Sequence, residues 1–402
     1  MTRTLLGGLI ALLVICTTRA GDQGVASFRD IDTRGQQGES LNVVFLGGSL
    51  TWGANATDPN KTSYRALMGQ YLKERYPKAH IDLHDAAIGG TGSSLGMFRL
   101  ERDVLVHDPD LVFLDFTVND NNYGSDEEAL WSYEYILRRL ISSGIAVEVV
   151  MLGDRKSYDP SQDLAKFPRR NQHAELAHAY CSGLADTYPI IREKVASGEI
   201  DLKTMYPFDG IHPDDIGYEH FYLIAKNAYE AAVESKLVCT VPTEPVHAGT
   251  YTQVNRHLLP DSDLPSGWKT ERNFRVSLWF DGLSSRWQDG VAVCRASEAS
   301  SSPLTYTFSG SFVALFGEAD DKGLSFKATL DGEPLLTHRG SDIWAFSTSR
   351  FGFTNGRLFL WKVLSKELSD GEHKLVIQPV AEGANPKGQL RLESICTAGG
   401  GQ

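Results

Sequence analysis

The sequence predicts an α/β protein, a three-layer α/β/α sandwich around a parallel sheet, followed by a C-terminal all-β sandwich domain. Three observations carry that expectation. Short buried strands alternate with amphipathic helical stretches between residues 41 and 238, the rhythm of parallel pairing with right-handed crossovers. The long helical patterns then stop at Val241-Pro242-Thr243-Glu244-Pro245. Beyond it come short aromatic and β-branched segments separated by Ser309-Gly310, Asp331-Gly332, Asn355-Gly356 and Asp370-Gly371, the spacing of a sandwich.

In chain order, Thr2-Arg3, the apolar run over residues 5–15 and Thr18-Arg19-Ala20 have the layout of a secretory signal spanning residues 1–20. The run is shorter than the roughly 20 apolar residues that cross a bilayer, so a secreted or periplasmic protein without stable membrane insertion is expected. Residues 21–40 are polar and glycine-rich and read as an irregular lead-in. The α/β domain follows over 41–238, a linker over 239–250 and the β domain over 251–398.

Within the α/β domain, residues 43–46 form an apolar run bounded by glycines, a buried strand. Tyr64, Leu67, Met68, Tyr71 and Leu72 repeat at i, i+3, i+4, i+7 and i+8, one face of a helix that Pro77 stops. Strands are expected at 80–84, 111–116 and 145–152, and helices at 127–143, 171–188 and 214–235. In the β domain, strands are expected at 274–280, 291–294, 304–308, 312–316, 325–330, 359–363 and 374–379.

Composition narrows the function. The chain has 402 residues, 42% of them hydrophobic, enough for real cores. Its net charge of -12, with Lys and Arg scattered, excludes the basic stripe that nucleic acid requires. Cys181, Cys239, Cys294 and Cys396 remain after the signal, so two disulfides are expected in an oxidising compartment, with three pairings open. The sequence has no Cys-x-x-Cys pair and no histidine cluster for structural zinc. The sequons at Asn55 and Asn60 would carry glycans in a eukaryotic secretory host.

Four stretches at predicted strand ends carry the chemistry. Gly47-Gly48 breaks the first strand sharply before Ser49, which places a hydroxyl and neighbouring N–H groups where open α/β sheets bind their ligands. The loop over 86–94 contains Gly89, Gly90 and Gly92, backbone that can approach a substrate oxygen closely. Asn119, in an Asn- and Asp-rich turn over 117–122, can donate its side-chain amide to a developing oxyanion. Asp209 and His212 stand three apart in a Gly- and Pro-bent loop, so the carboxylate can orient the imidazole. Taken singly, each stretch reads more simply as a turn. Their order within one α/β unit argues for a single site.

In these four blocks, over residues 41–235, the chain resembles the SGNH/GDSL hydrolase superfamily. The resemblance implies Ser49 as nucleophile, His212 as general base and Asp209 as its orienting carboxylate. The oxyanion donors it implies are the N–H groups of Ser49 and Gly90 and the side chain of Asn119, with Gly90 chosen over Gly89 by position. Gly48 stands where the family name calls for aspartate. No metal or other cofactor is needed.

Export, polar loops at 91–94 and 119–123 and an appended β domain point to an O-acylated carbohydrate, acetyl esters foremost. The β domain resembles the sandwich modules that accompany carbohydrate-active esterases, and Trp268, Trp279, Trp287, Trp344 and Trp361 serve either as sugar platforms or as core. Lipid esterases and thioesterases share the resemblance and stay open, although no long apolar segment suggests an acyl channel. A carbohydrate-binding protein with an inactive α/β unit is the alternative from another class. A metal phosphoesterase built on Asp115, Asp120, Asp209 and His212 has too few ligands for a two-metal site.

Overall fold

A computed structural model describes residues 25–122, 127–274, 288–299, 303–336, 345–348, 358–369, 371–381 and 383–400. The expected signal, Tyr123, Trp279, Trp287, Trp344, the Asn355-Gly356 turn and nearly all of the strand expected at 274–280 lie outside these residues.

The lead-in expected to be irregular contains a helix, α1 (Phe28–Gln37), which the Ser27 hydroxyl caps and Gly38, at φ 88°, closes. Its buried face is only Phe28, Ile31 and Gly35, too sparse to show as a period. Gly35 lies flat against Tyr76, where a Cβ would come within 2.7 Å of the ring.

The chain continues through β1 (Leu41–Gly47), α2 (Ser49–Trp52), α3 (Tyr64–Arg75), β2 (Ile81–Ala87), α4 (Ser93–Asp103), β3 (Leu111–Asp115), α5 (Thr117–Asn122), α6 (Glu127–Ser142), β4 (Ala146–Met151) and α7 (Arg155–Tyr158). Then come α8 (Pro168–Ala179), β5 (Gly183–Asp186), α9 (Thr187–Ala196), α10 (Leu202–Met205) and α11 (Asp215–Glu234). The single helix expected over 171–188 is therefore two helices with a strand between them. Gly183 allows that edge strand to pack closely, since a Cβ there would meet the Phe28 ring at 2.9 Å, and Asp186 caps the second helix. Similarly, the turn expected at 117–122 is a short helix.

The five strands form one parallel sheet in the order β2-β1-β3-β4-β5. Helices α1, α3 and α11 pack together on one face, and α4, α6 and α8 on the other. This is the expected three-layer α/β sandwich. Its buried strands place residues 47–49, 87–92 and 115–119 along one sheet end.

The C-terminal part is antiparallel. Its strands are β6 (Gln253–Leu258), β7 (Trp268–Glu271), β8 (Val291–Arg295), β9 (Leu304–Ser309), β10 (Phe312–Ala319), β11 (Phe326–Leu330), β12 (Glu333–Pro334), β13 (Ala345–Phe346), β14 (Leu358–Ser365), β15 (Glu372–Pro379) and β16 (Gln389–Gly399). One sheet runs β14-β10-β16-β8-β7 with β6 also on β16, and the other β12-β11-β15-β9 with β13 on β11. Leu315, Phe326, Leu375, Ile377 and Ile395 are among the residues that fill the space between them. Strands β6, β7, β16 and the two-residue β12 and β13 were not among those expected. The central β16 is masked in the sequence by Arg391, Glu393 and Ser394, polar residues that are buried and paired in the fold.

The two parts meet through side chains rather than through a free linker. Phe98 of α4 stacks near Phe312 and Trp361, at 5.7 and 5.8 Å between centroids, and Arg102 makes a two-pronged ion pair with Asp289 at 3.0 Å. The buried Glu134 of α6 accepts hydrogen bonds from the N–H groups of Val246 and His247 and the hydroxyls of Thr250 and Tyr180, at 2.5–2.9 Å. Trp361 is thus a joint residue, and Trp268 is 7% exposed and belongs to the β core.

The four cysteines among the described residues are thiols, against the expected two disulfides. Cys294 lies opposite Leu390 on β16, six residues from Cys396, a span of about 20 Å that no disulfide bridges. Cys181 and Cys239 sit on neighbouring segments, where the N–H of Thr240 donates to the carbonyl of Tyr180 at 2.9 Å, without a bridge between them. Burial pushes the Cys239 thiol up to about 11.

One group in the core works against stability. Glu148 of β4 is fully buried, and neither carboxyl oxygen has a hydrogen-bond partner among the described residues. Burial raises its pKa well above 4.5, so the fold holds it protonated, and stability falls as pH rises above that value. Glu148→Met is expected to stabilise the fold by about 1–3 kcal/mol at pH 7, with the gain shrinking below about pH 4.5. Urea melts of both proteins at the two pH values check this.

Candidate active site

Ser49 begins α2 directly after β1 and is 6% exposed. The turn before it is tight. A Cβ on Gly48 would come within 2.5 Å of Asn119 Oδ1 and 3.4 Å of the Thr91 carbonyl, so any side chain at 48 displaces the Asn119 amide. The bare backbone at Gly48 therefore leaves room for Asn119 and the Thr91 carbonyl to lie against the nucleophile turn.

Ser49 Oγ lies 2.7 Å from His212 Nε2, and His212 Nδ1 lies 3.0 Å from Asp209 Oδ2. Ser49 and His212 are 163 positions apart in the chain, brought together because the loop before α11 folds over the carboxyl ends of the strands. Asp209 Oδ1 accepts the N–H groups of Ile211 and His212, both at 2.7 Å, and Asp214 caps α11, fixing the loop at both ends. Burial pushes the Asp209 carboxyl up, but the His212 ring and the two backbone N–H groups outweigh it and hold the group below its usual 3.8.

The other two blocks adjoin this row. Ile88 N–H donates to the Gly47 carbonyl at 3.0 Å, which docks the glycine loop on β1. Gly90 has φ 75°, a conformation that favours glycine, whereas Gly89 does not. Asp120, next to Asn119, accepts the N–H of Ser93 at 2.9 Å and so ties the glycine loop to the Asn119 helix. Its other oxygen faces His173 Nε2 at 3.5 Å, and burial pushes its carboxyl up to about 7. Asp115 is likewise pushed up to about 7 by burial and accepts the N–H of Thr117. Both carboxyls are thus engaged in backbone positioning, and among the described residues no group of His, Cys, Asp and Glu could hold a metal ion.

Three features at this site were not singled out as functional from sequence. Asn55, read as a sequon, turns its amide inward to Asp209 and His212. Asp120 was weighed only as a metal ligand. Phe208, next to Asp209, is 76% exposed, and Ile211, next to His212, is also exposed. Only the exposure of Phe208 marks it, and exposure is invisible in sequence.

Comparison with known proteins agrees with the fold that carries these residues. Residues 45–220 match the model of the GDSL-like lipase/acylhydrolase family. The crystal structure of a two-domain esterase active on acetylated mannans, co-crystallized with mannopentaose, is similar at a TM-score of 0.71 and 20% identity, covering 94% of this chain and 97% of that one. A second crystal structure of a two-domain esterase active on acetylated mannans gives 0.70 at 20% identity, over 94% and 98%. A search of curated proteins finds no match. Over residues 45–220 the α/β part of this chain thus matches the GDSL-like lipase/acylhydrolase family, and the protein is a hydrolase of ester bonds.

Proposed function

We propose that the chain removes O-acyl groups, acetyl foremost, from a carbohydrate through an acyl-enzyme on Ser49. The observation that carries this is the unbroken row Ser49 Oγ, His212 Nε2, His212 Nδ1, Asp209 Oδ2, with steps of 2.7 and 3.0 Å. His212 takes the hydroxyl proton as Ser49 attacks the ester carbonyl, and Asp209 stabilises the imidazolium that forms. The N–H groups of Ser49 and Gly90 and the Asn119 amide receive the oxyanion. His212 then protonates the leaving alcohol, and water repeats the cycle to release the acid.

The carbohydrate reading draws on the whole-chain likeness to an esterase active on acetylated mannans, which includes the β part. The exposed ring of Phe208, next to Asp209 in the chain, suits the CH face of a pyranose. A polymeric substrate also fits an exported enzyme, as the N-terminal segment suggests. Acetate release from acetylated mannan, acetylated xylan and p-nitrophenyl acetate by wild type and Ser49→Ala tests both levels. Wild type is expected to release acetate from at least one polysaccharide, and Ser49→Ala to lose on the order of 10⁴-fold or more in kcat. Equal background rates from both proteins would leave the binding-protein alternative standing.

A further inference from the structure

We infer that Asn55 is a positioning residue for the proposed Asp209–His212 pair, an inference that rests on the reading of those two residues above. Its Nδ2 donates to Asp209 Oδ2 at 3.3 Å and to the His212 carbonyl at 3.1 Å. One amide therefore bridges the carboxylate that faces the imidazole and the backbone that carries it. The two contacts span 154 and 157 positions and join the loop after the nucleophile helix to the loop before α11.

The backbone is arranged to aim this side chain. Asn55 sits at φ 70°, a left-handed conformation that asparagine tolerates better than most residues. Its neighbours hold the loop without help from the amide. Ala54 N–H donates to the Ser49 carbonyl at 3.0 Å, and the Ala54 carbonyl accepts the buried Tyr218 hydroxyl at 2.7 Å. Thr57 N–H donates to Asp215 at 2.8 Å. The loop is thus pinned on both sides of Asn55, and the side chain is left to act on Asp209 and His212.

Asp209 Oδ2 is the oxygen that faces His212 Nδ1, so a donor on that same oxygen limits how the carboxylate can rotate. Both N–H bonds of the Asn55 amide are used in these contacts. A glycan on Nδ2 would replace one of them, so glycosylation of this sequon and the positioning role exclude each other in one molecule.

The test compares Asn55→Asp, Asn55→Gly and Ser49→Ala in the full chain on p-nitrophenyl acetate, with thermal melts. Aspartate keeps the shape and tolerates the same φ but sets a carboxylate against Asp209, while glycine suits the φ and merely removes the amide. Asn55→Asp is expected to lower kcat by about 10²-fold and Asn55→Gly by about 10-fold, each with KM within about twofold of wild type and little change in melting temperature. A kcat for Asn55→Asp within about twofold of wild type overturns the inference, as does a loss in both variants that merely follows a fall in melting temperature. An inactive Ser49→Ala beside an unaffected Asn55→Asp removes only the positioning role. Full activity in Ser49→Ala removes the nucleophile assignment itself.

Discussion

Replacing His212 with alanine is expected to lower kcat on p-nitrophenyl acetate by about 10⁶-fold, and Asp209→Asn by about 10⁴-fold. The first loss follows from geometry, because the nitrogen 2.7 Å from Ser49 Oγ is the one base in contact with it among the described hydrogen bonds. The second follows from tautomers. Asp209 Oδ1 accepts two backbone N–H groups at 2.7 Å, so an asparagine would keep its carbonyl oxygen there and turn its NH₂ toward His212 Nδ1. The ring must then accept at Nδ1 and carry its proton on Nε2, where it can no longer take the proton of Ser49. Steady-state rates with melting curves separate this loss from unfolding. The pH profile adds a second check. Asp209 has a depressed folded pKa, so its contribution to stability is fully present above about pH 4 and is lost as pH falls through a value below 3.8. Protonation of Asp209 therefore adds no acid limb to wild-type activity above about pH 4.

Asn119→Ala is expected to lower kcat by about 10²- to 10³-fold with KM nearly unchanged, since an oxyanion donor acts on charge that exists only in the transition state. The amide borders the nucleophile turn, with Oδ1 2.5 Å from where a Gly48 Cβ would stand. Asp120 holds the helix that carries it against the glycine loop. Because the supporting contacts belong to Asp120 and the backbone, truncating Asn119 leaves the turn in place, and the loss should appear in kcat alone. Separate kcat and KM values, measured by initial rates over a tenfold range either side of KM, check the split.

The parallel sheet was readable because its strands are apolar runs closed by glycine or by Asn and Asp, as at residues 43–48 and 111–119. Among the candidate site residues, Ser49 and Asn119 stand at such closures, and Asp209 and His212 share a Gly- and Pro-bent loop before the last helix, so each could be singled out as a side chain suited to the same reaction. What stayed hidden depends on packing. Gly35 helps to bury α1 because it fits a tyrosine ring, and β16 looks polar until Arg391 meets Glu318 and Glu393 meets Arg256. Asn55 spells a sequon in one dimension. Its actual direction depends on a φ angle and on a loop more than 150 positions away.

The carboxylate of Glu134 and the rings of Phe98, Phe312 and Trp361 make the seam between the two parts a piece of interior. The Pro-rich stretch at 241–245 invites a cut in a truncation experiment or a domain graft. Severing there would take from the buried carboxyl of Glu134 the donors at Val246, His247 and Thr250, leaving only the Tyr180 hydroxyl, and bring aromatic rings into water on both fragments. For protein engineers, transplanting the sandwich onto another catalytic unit means carrying the matching face of α4 and α6 with it.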